Sequence, residues 1–238
     1  MSDKFKSKVA LVTGGTGGLG RAVTLAFLHE GASVIATYIK KAEADALKDA
    51  VGPKALLELL PLDATDEAAC RALVDGITAR HGQLDILVNT IGGFAGGKLL
   101  WETDPRTYQL MMTLNVGAGY NLARTVVPAM LRKKSGAIVN IASKAAVDHA
   151  AGASAYAASK AATLALFDSL AQDVKGSGVR VNSVLPSIID TEPNRKAMPD
   201  ADFSKWPKPE EIAQVILFLC SNEAKLIHGA AIPVYGES

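Results

Sequence analysis

A tyrosine and a lysine lie four residues apart, at Tyr156 and Lys160, so both side chains are expected on one face of a helix. A phenol titrates at about pH 10 in water, too high for useful proton exchange at neutral pH. A neighbouring ammonium favours the phenolate and lowers the pKa of the phenol. Ser143 ends a predicted strand, where its hydroxyl would hold a substrate oxygen while Tyr156 donates or removes the proton. This spacing also recurs by chance in helices, so its meaning depends on the rest of the chain.

A glycine-rich segment, TGGTGGLG at residues 13–20, lies between the first predicted strand and the first predicted helix. Glycines let a backbone turn tightly and approach a pyrophosphate, while the N–H groups of the helix start face the anion. The segment satisfies three glycine fingerprints of dinucleotide-binding proteins at once. It therefore predicts a nucleotide site, and a merely tight turn is the alternative.

The end of the second predicted strand bears on which nicotinamide nucleotide is bound. An acid there would bond the ribose 2′-hydroxyl, whereas a base would accept a 2′-phosphate. Residues 37–41, TYIKK, contain no carboxylate. Lys40 or Lys41 would supply the positive partner, although both also suit a solvated helix start. The sequence favours NADP(H) over NAD(H).

Short apolar runs alternate with helical patterns along the whole chain. Strands are predicted at 9–13, 32–37, 55–60, 84–89, 137–142, 179–185 and 231–234. Helices are predicted at 18–30, 41–51, 66–81, 108–131, 156–175 and 209–221. Consecutive apolar residues in the strands indicate a parallel sheet covered on both faces. We predict an α/β fold, a doubly wound parallel sheet in a single Rossmann-type domain over residues 1–238.

Composition limits the function classes. The formal net charge is +1 and basic residues do not cluster, which argues against nucleic-acid binding. The longest apolar run, residues 212–220, is too short to span a bilayer. The polar start leads directly into a strand, without room for a signal peptide. We expect a soluble, cytoplasmic protein.

Cysteines and histidines give no sign of a metal site. Cys70 and Cys220 lie within apolar helical patterns and are expected to be buried free thiols. The four histidines show no ligand spacing, so no metal is expected.

Six features arrive in an order and spacing that resemble the short-chain dehydrogenase/reductase family: the glycine turn, Asn89 after a strand, Asn115, Ser143, Tyr156 and Lys160. The resemblance covers essentially the whole chain. It implies reversible hydride transfer between a nicotinamide nucleotide and a small-molecule substrate. It also implies a homo-oligomer, a tetramer or a dimer, with the helices carrying Asn115 and Tyr156 at a dimer face.

The resemblance assigns roles to individual residues. Asn115 would anchor a water joined to Lys160, which would grip the nicotinamide ribose. Asp63 would bond the adenine, Asn89 would flank its ribose, and residues 186–191 would cover the nicotinamide. The predicted cofactor-binding residues are Thr13, Gly14, Thr16, Gly18, Leu19, Gly20, Tyr38, Lys40, Asp63, Asn89, Gly92, Tyr156, Lys160, Pro186, Ile188 and Thr191.

Two departures from the family pattern put local backbone geometry in question. Asn89 is followed by Thr90, Ile91 and Gly92 where the family has Asn-Ala-Gly, and Pro186 is followed by Ser187 instead of glycine. Neither departure removes a reacting group.

Two loops narrow the substrate. Two segments resemble those of dihydropteridine reductase, namely residues 92–97, GGFAGG, and residues 190–206. This resemblance implies that the Phe94 side chain lines the substrate pocket. That enzyme lacks the serine, however, and Ser143 suits a carbonyl. A general carbonyl and a pterin remain equally open.

The long segment at 186–209 is predicted to be a substrate lid. Met198, Phe203 and Trp206 would close over a substrate, or would pin the segment to the body of the protein. His149 would line the substrate mouth, or would lie in a surface loop.

Other functions are consistent with parts of this pattern. One is a 3-oxoacyl-acyl-carrier-protein reductase-like enzyme, and another is an NAD(P)-sensing protein without turnover. A sensor would not need Ser143, Tyr156 and Lys160 together. An epimerase or dehydratase would need a larger C-terminal substrate domain than this chain is expected to accommodate.

Overall fold

Seven strands form one parallel sheet in the order β3-β2-β1-β4-β5-β6-β7. This computed structural model describes residues 4–53 and 55–238. The strands are β1 (Val9–Thr13), β2 (Ser33–Tyr38), β3 (Leu57–Pro61), β4 (Ile86–Asn89), β5 (Gly136–Ile141), β6 (Val179–Pro186) and β7 (Ala231–Val234). The predicted doubly wound sheet is confirmed, and every predicted strand exists with ends shifted by two residues at most.

Helices cover both faces of the sheet. They are α1 (Gly18–His29), α2 (Lys41–Val51), α3 (Glu67–His81), α4 (Pro105–Met112), α5 (Ala118–Lys133), α6 (Ser154–Asp173), α7 (Glu192–Ala197) and α8 (Pro209–Cys220). Side chains of α1 and α8 form one apolar core with the sheet. Side chains of α3, α5 and α6 form a second core on the other face. In the described part of the chain, no helix is long and apolar enough to cross a membrane.

The strand order reverses at β1, which pairs with β2 on one side and with β4 on the other. At the carboxyl ends, Thr13 is the register partner of Asn89, and Asn89 is the register partner of Asn140. In open α/β sheets the crevice outside the carboxyl ends at such a reversal is where ligands bind. The fold therefore brings the glycine turn after β1 and the polar residues after β4 and β5 to one edge.

The single helix predicted at 108–131 is wrong in detail, because a π-helical turn at Thr113–Gly117 separates α4 from α5. The helix also begins earlier than predicted, at Pro105 with Asp104 as its N-cap, since proline suits the first helical position. The apolar pattern runs through the π turn, so periodicity alone did not reveal it. The turn contains Asn115, and π turns of this kind are frequent at functional sites.

The predicted lid contains more regular structure than its sequence suggested. It includes α7 and a 3-10 turn at Phe203–Lys205. Arg195 forms two hydrogen bonds to the carboxylate of Asp190, at 2.5 and 2.7 Å, and its guanidinium lies over the Phe203 ring. Phe203 in turn contacts Trp206, which is buried. These contacts hold the segment together, and the burial of Trp206 fits the interpretation in which side chains pin it to the body.

Candidate active site

The glycine turn between β1 and α1 has the geometry of an anion site. Gly14 has a positive φ of 69°, and a Cβ at Gly20 would lie 2.0 Å from the carbonyl oxygen of Gly14. Only glycine fits this approach. The N-cap of α1 is Gly17, which has no side chain to satisfy the N–H groups of the first turn. These N–H groups therefore stay available for a phosphate.

A cleft of about 350 Å³ runs from this turn along the carboxyl edge of the sheet. Among the predicted cofactor residues, it is lined by Gly14, Thr16, Gly18, Leu19, Gly20, Tyr38, Lys40, Asp63 and Gly92. It is also lined by residues that the sequence did not single out as contacts, namely Gly17, Thr37, Ile39, Glu43, Leu62, Ala64, Thr65, Thr90, Ile91, Leu114 and Ala118. The combination of a glycine-lined anion end, apolar walls and an acid at the far end fits a dinucleotide.

Asp63 lines the cleft after β3, which lies on the side of β1 away from β5. Its Oδ1 accepts hydrogen bonds from the Thr65 amide at 2.9 Å and the Thr65 hydroxyl at 2.6 Å. These bonds lower the pKa of Asp63, so the carboxylate is ionised and fixed in place. A fixed acceptor of this kind suits an amino group on an adenine ring.

Tyr156 lies in the first turn of α6, and its side chain is largely shielded from water. Burial raises the pKa of its phenol, and a hydrogen bond with Ser143 opposes that shift. Ser143 follows β5 and also accepts a hydrogen bond from the amide of Ala145 at 3.1 Å. The two hydroxyls predicted to act on one substrate oxygen are therefore neighbours.

The ammonium of Lys160 is fully buried and donates to the carbonyl oxygen of Ile141 at 3.0 Å. Burial lowers the pKa of Lys160 to about 8. The prediction that Lys160 lowers the pKa of Tyr156 stays a prediction, since the shift described for the phenol comes from burial and Ser143. The ammonium is directed at the end of β5, and desolvation dominates the titration of the phenol.

Asn115 in the π turn links the loop after β4 to α6. Its Oδ1 accepts from the amide of Gly93 at 2.8 Å, and its Nδ2 donates to the Gly93 carbonyl at 3.1 Å and to Ser159 Oγ at 2.9 Å. Ser159 donates to the carbonyl oxygen of Tyr156 at 2.7 Å. A Cβ on Gly92 would lie 2.9 Å from Asn115 Oδ1 and 3.1 Å from Lys160 Nζ. The water that Asn115 is predicted to share with Lys160 stays a prediction.

Comparison with known proteins agrees with a site for a dinucleotide. A family model described as short chain dehydrogenase matches residues 8–202. The chain belongs to the short-chain dehydrogenase family. It is therefore an NAD(P)-dependent oxidoreductase, with the Rossmann-type fold of that family.

Individual relatives match this chain over nearly its whole length. The 3-oxoacyl-(acyl-carrier-protein) reductase of Thermotoga maritima is 34% identical over 242 residues and covers 98% of both chains. The enzyme of the same name from Escherichia coli is 32% identical, over 98% of this chain and 97% of its own. A solved short-chain type dehydrogenase/reductase from Mycobacterium ulcerans superposes with a TM-score of 0.93 at 27% identity, over 100% of this chain and 90% of its own.

Two predicted cofactor residues of this dehydrogenase have buried side chains. Thr13 is fully buried, and its hydroxyl donates to Asn89 Oδ1 at 3.1 Å. The Asn89 amide donates to Asn140 Oδ1 at 3.1 Å, and Asn89 is also buried. Both side chains therefore tie strand ends together, and the predicted contacts of Thr13 to the diphosphate and of Asn89 to the ribose stay predictions.

The two departures from the family pattern are accommodated by hydrogen bonds. The hydroxyl of Thr90 donates to the carbonyl oxygen of Thr13 at 2.7 Å, which holds the glycine turn against β4. The hydroxyl of Ser187 donates to the carbonyl oxygen of Tyr235 at 2.6 Å, which holds the end of β6 against the residues after β7. Each replacement thus adds a polar contact between neighbouring strand ends.

The residues predicted to cover the nicotinamide lie after β6. Pro186 is the last residue of that strand and is buried, whereas Ile188 is partly exposed. Thr191 lies against the phosphate turn, because a Cβ on Gly18 would approach its Cγ2 to 2.8 Å. Thr191 therefore faces the start of α1, beside the predicted diphosphate.

Phe94 lies beside the candidate catalytic tyrosine. Its ring meets the Tyr156 ring edge to face with centroids 4.9 Å apart, yet the side chain is 69% exposed. A Cβ on Gly96 would lie 2.6 Å from the tip of the Phe94 ring. The glycines of this loop therefore make room for an exposed aromatic wall at the reacting hydroxyl.

The other two predicted substrate residues differ in their exposure. Trp206 is 6% exposed and packs on Phe203, and its role as a substrate contact stays a prediction. His149 is exposed in the loop before α6, as expected for a surface residue. The two cysteines are buried and free, as predicted.

Proposed function

We propose that this dehydrogenase reduces a small carbonyl compound with NADPH, using Ser143, Tyr156 and Lys160. The proposal is carried by the hydrogen bond between Ser143 and Tyr156 after β5 and by the buried Lys160 ammonium at the end of the same strand, next to the glycine-lined cleft. Bound there, the reduced nicotinamide would supply the hydride. The remaining chemistry falls to the side chains of the chain itself.

Each of the three side chains has a separate task. Because burial raises its pKa, the Tyr156 phenol keeps its proton at neutral pH and donates it to the substrate oxygen. The Ser143 hydroxyl holds that oxygen in line with the phenol and stabilises the charge that develops on it. Lys160 places an ammonium one helical turn away, where it holds ribose hydroxyls and favours the phenolate left after proton transfer.

The choice of NADPH follows from the adenosine end of the cleft. The run from Thr37 to Lys41 contains no carboxylate, and Lys40 lines the cleft there. A lysine in this position can bind a 2′-phosphate.

Two substrate classes remain in view, each supported by an observation. The curated relatives that match nearly the whole chain are named 3-oxoacyl-(acyl-carrier-protein) reductases, which favours a 3-oxoacyl thioester. The exposed ring of Phe94 against Tyr156 favours a flat substrate such as a dihydropterin. Ser143 argues for the carbonyl class, because its hydroxyl would hold a substrate oxygen.

The test is the loss of NADPH absorbance with short ketones, 3-oxoacyl thioesters and quinonoid dihydropterin. Tyr156→Phe removes only the phenolic oxygen, so we expect kcat to fall by about 10²- to 10⁴-fold on the accepted carbonyl. The affinity for NADPH should change little. Phe94→Leu is the companion variant. It should raise the KM for a flat substrate more than the KM for a short ketone.

Two results would contradict the proposal. One is tight NADPH binding without turnover on any member of the panel, which would favour a sensor. The other is unchanged carbonyl reduction by the Tyr156→Phe variant.

A further inference from the structure

The end of β2 contains no carboxylate, but the next helix, α2, places one in the cleft. Glu43 lies in the first turn of α2 and lines the adenosine end of the cleft. Its Oε2 accepts a hydrogen bond from the hydroxyl of Thr16 at 3.2 Å. Thr16 belongs to the phosphate turn and is buried, so the carboxylate is held against the turn that would bind the diphosphate.

The same carboxylate engages the lysine proposed to receive a 2′-phosphate. Glu43 Oε1 accepts from Lys40 Nζ at 3.1 Å. Lys41, the other lysine at this point of the sequence, is paired with Asp45 at 2.7 Å and does not line the cleft. Of the two lysines, therefore, only Lys40 faces the nucleotide, and its charge is matched by that of Glu43.

The two nicotinamide nucleotides would experience this pair differently. A phosphate monoester carries a charge of about −1.5 to −2 at neutral pH. A 2′-phosphate beside Lys40 would compete with Glu43 for the ammonium and would be repelled by the carboxylate. A 2′-hydroxyl carries no charge and can donate a hydrogen bond to a carboxylate.

We propose that Glu43 is a specificity-determining residue that opposes Lys40 and restrains the preference of the enzyme for NADP(H) over NAD(H). The inference rests on the proposed function only in placing the adenosine ribose at this end of the cleft. The end of β2 supplies a phosphate-binding cation, and α2 supplies the acid that limits its effect.

The experiment measures the dissociation constants of NADPH and NADH by nucleotide fluorescence. The wild-type protein is compared with Glu43→Gln, Lys40→Gln and Lys41→Gln. Because the two nucleotides differ only in the 2′ group, the ratio of the two constants cancels general effects of a substitution on the cleft.

Glu43→Gln should shift this ratio toward NADPH by about tenfold, the scale of removing one nearby charge in a partly solvated site. The shift should shrink at high ionic strength, since exposed charges are screened. Lys40→Gln should shift the ratio toward NADH. Lys41→Gln is the matched control and should leave it unchanged.

A ratio that stays constant or moves toward NADH in Glu43→Gln would overturn the proposal. Binding requires no turnover, so this result is independent of whether any carbonyl is reduced. A constant ratio in an active reductase would reject the role of Glu43 alone. A protein that binds neither nucleotide would reject both this role and the proposed function.

Discussion

Buried charges at the amino ends of the strands (the amino edge of the sheet) have partners of opposite charge, whereas the buried charge at the carboxyl ends (the carboxyl edge) is paired differently. At the amino edge, Asp85 precedes β4 and its side chain is 4% exposed. It accepts from the amide of Val9 at 2.8 Å, lies 3.5 Å from the ammonium of Lys8 and pairs with Lys133. The carboxylate is thus matched by a backbone donor and two cations, which tie β1, β4 and the end of α5 together.

At the carboxyl edge, Lys160 is as deeply buried but its charge is not matched in this way. The hydrogen-bond acceptor described for its ammonium is the carbonyl oxygen of Ile141, a dipole and not an anion. Its pKa falls to about 8 because burial penalises the charged form. The difference fits the proposed function, in which the carboxyl ends of the strands hold a buried cation for chemistry while charge pairs at their amino ends contribute to stability.

The substitution Lys160→Met breaks this comparison most strongly. It removes the buried cation, so we expect kcat to fall by at least about 10²-fold. The same change should raise the free energy of unfolding by about 1–3 kcal/mol at neutral pH, because the folded chain no longer buries a charge. Chemical denaturation and turnover on one accepted carbonyl measure the two effects.

The direction of the predicted stability change follows from the pKa of Lys160. The folded-state pKa of Lys160 is about 8, against an ordinary value of 10.5. The unfolded chain binds the extra proton between these values, so the wild-type protein gains stability as pH rises through this interval. The advantage of the Met variant should therefore be full below about 8 and disappear toward 10.5. A Met variant less stable than wild type at neutral pH would contradict it, and Lys48→Met on the surface is the control.

Asp85→Asn tests the opposite edge and should have the reverse signature. The amide can still accept from Val9 but no longer neutralises Lys8 and Lys133, so we expect a loss of about 2–4 kcal/mol in unfolding free energy. The kcat/KM should not change, because Asp85 lies at the far end of the sheet from Tyr156. Thermal and urea unfolding measure the first effect, and impaired turnover in the folded variant would refute the division of roles.

Lys8→Gln should have the smallest effect and sharpens the account of the amino edge. The Lys8 side chain is 45% exposed and lies at the limit of the contact with Asp85. We expect a loss of about 0.5 kcal/mol, typical of an exposed ion pair. A loss as large as that of Asp85→Asn would show that Lys133 and Val9 alone do not stabilise the carboxylate.

The parts of the fold that the sequence predicted are those governed by local rules. Consecutive apolar residues located the strands, and the helix predicted to end at residue 81 does so, followed by Gly82 with a φ of 72°. The interruption after α4 escaped prediction because the apolar pattern continues through it. The contacts that Asn115 makes there, to Gly93 and Ser159, join residues 22 and 44 positions away.

The candidate site was predictable to a similar degree. The glycine turn and the order of Ser143, Tyr156 and Lys160 indicated the cleft and the reacting groups. The burial of the Thr13 and Asn89 side chains was not predictable, because a motif gives the position of a residue but not the direction of its side chain. Glu43 was overlooked because an acid in the first turn of a helix is ordinary for the helix dipole.

By itself, the sequence determined the alternation of strands and helices, the glycine turn and the presence of an acid–base set. These depend on backbone conformation, apolar period and residue chemistry, which act over a few residues. Only the tertiary structure decided which partners the charged groups meet: Glu43 meets Thr16 and Lys40, Asp85 meets Val9 and Lys133, and Lys160 meets the carbonyl oxygen of Ile141. The physical reason is that electrostatic and desolvation energies depend on distance and burial, which are fixed when distant segments pack together.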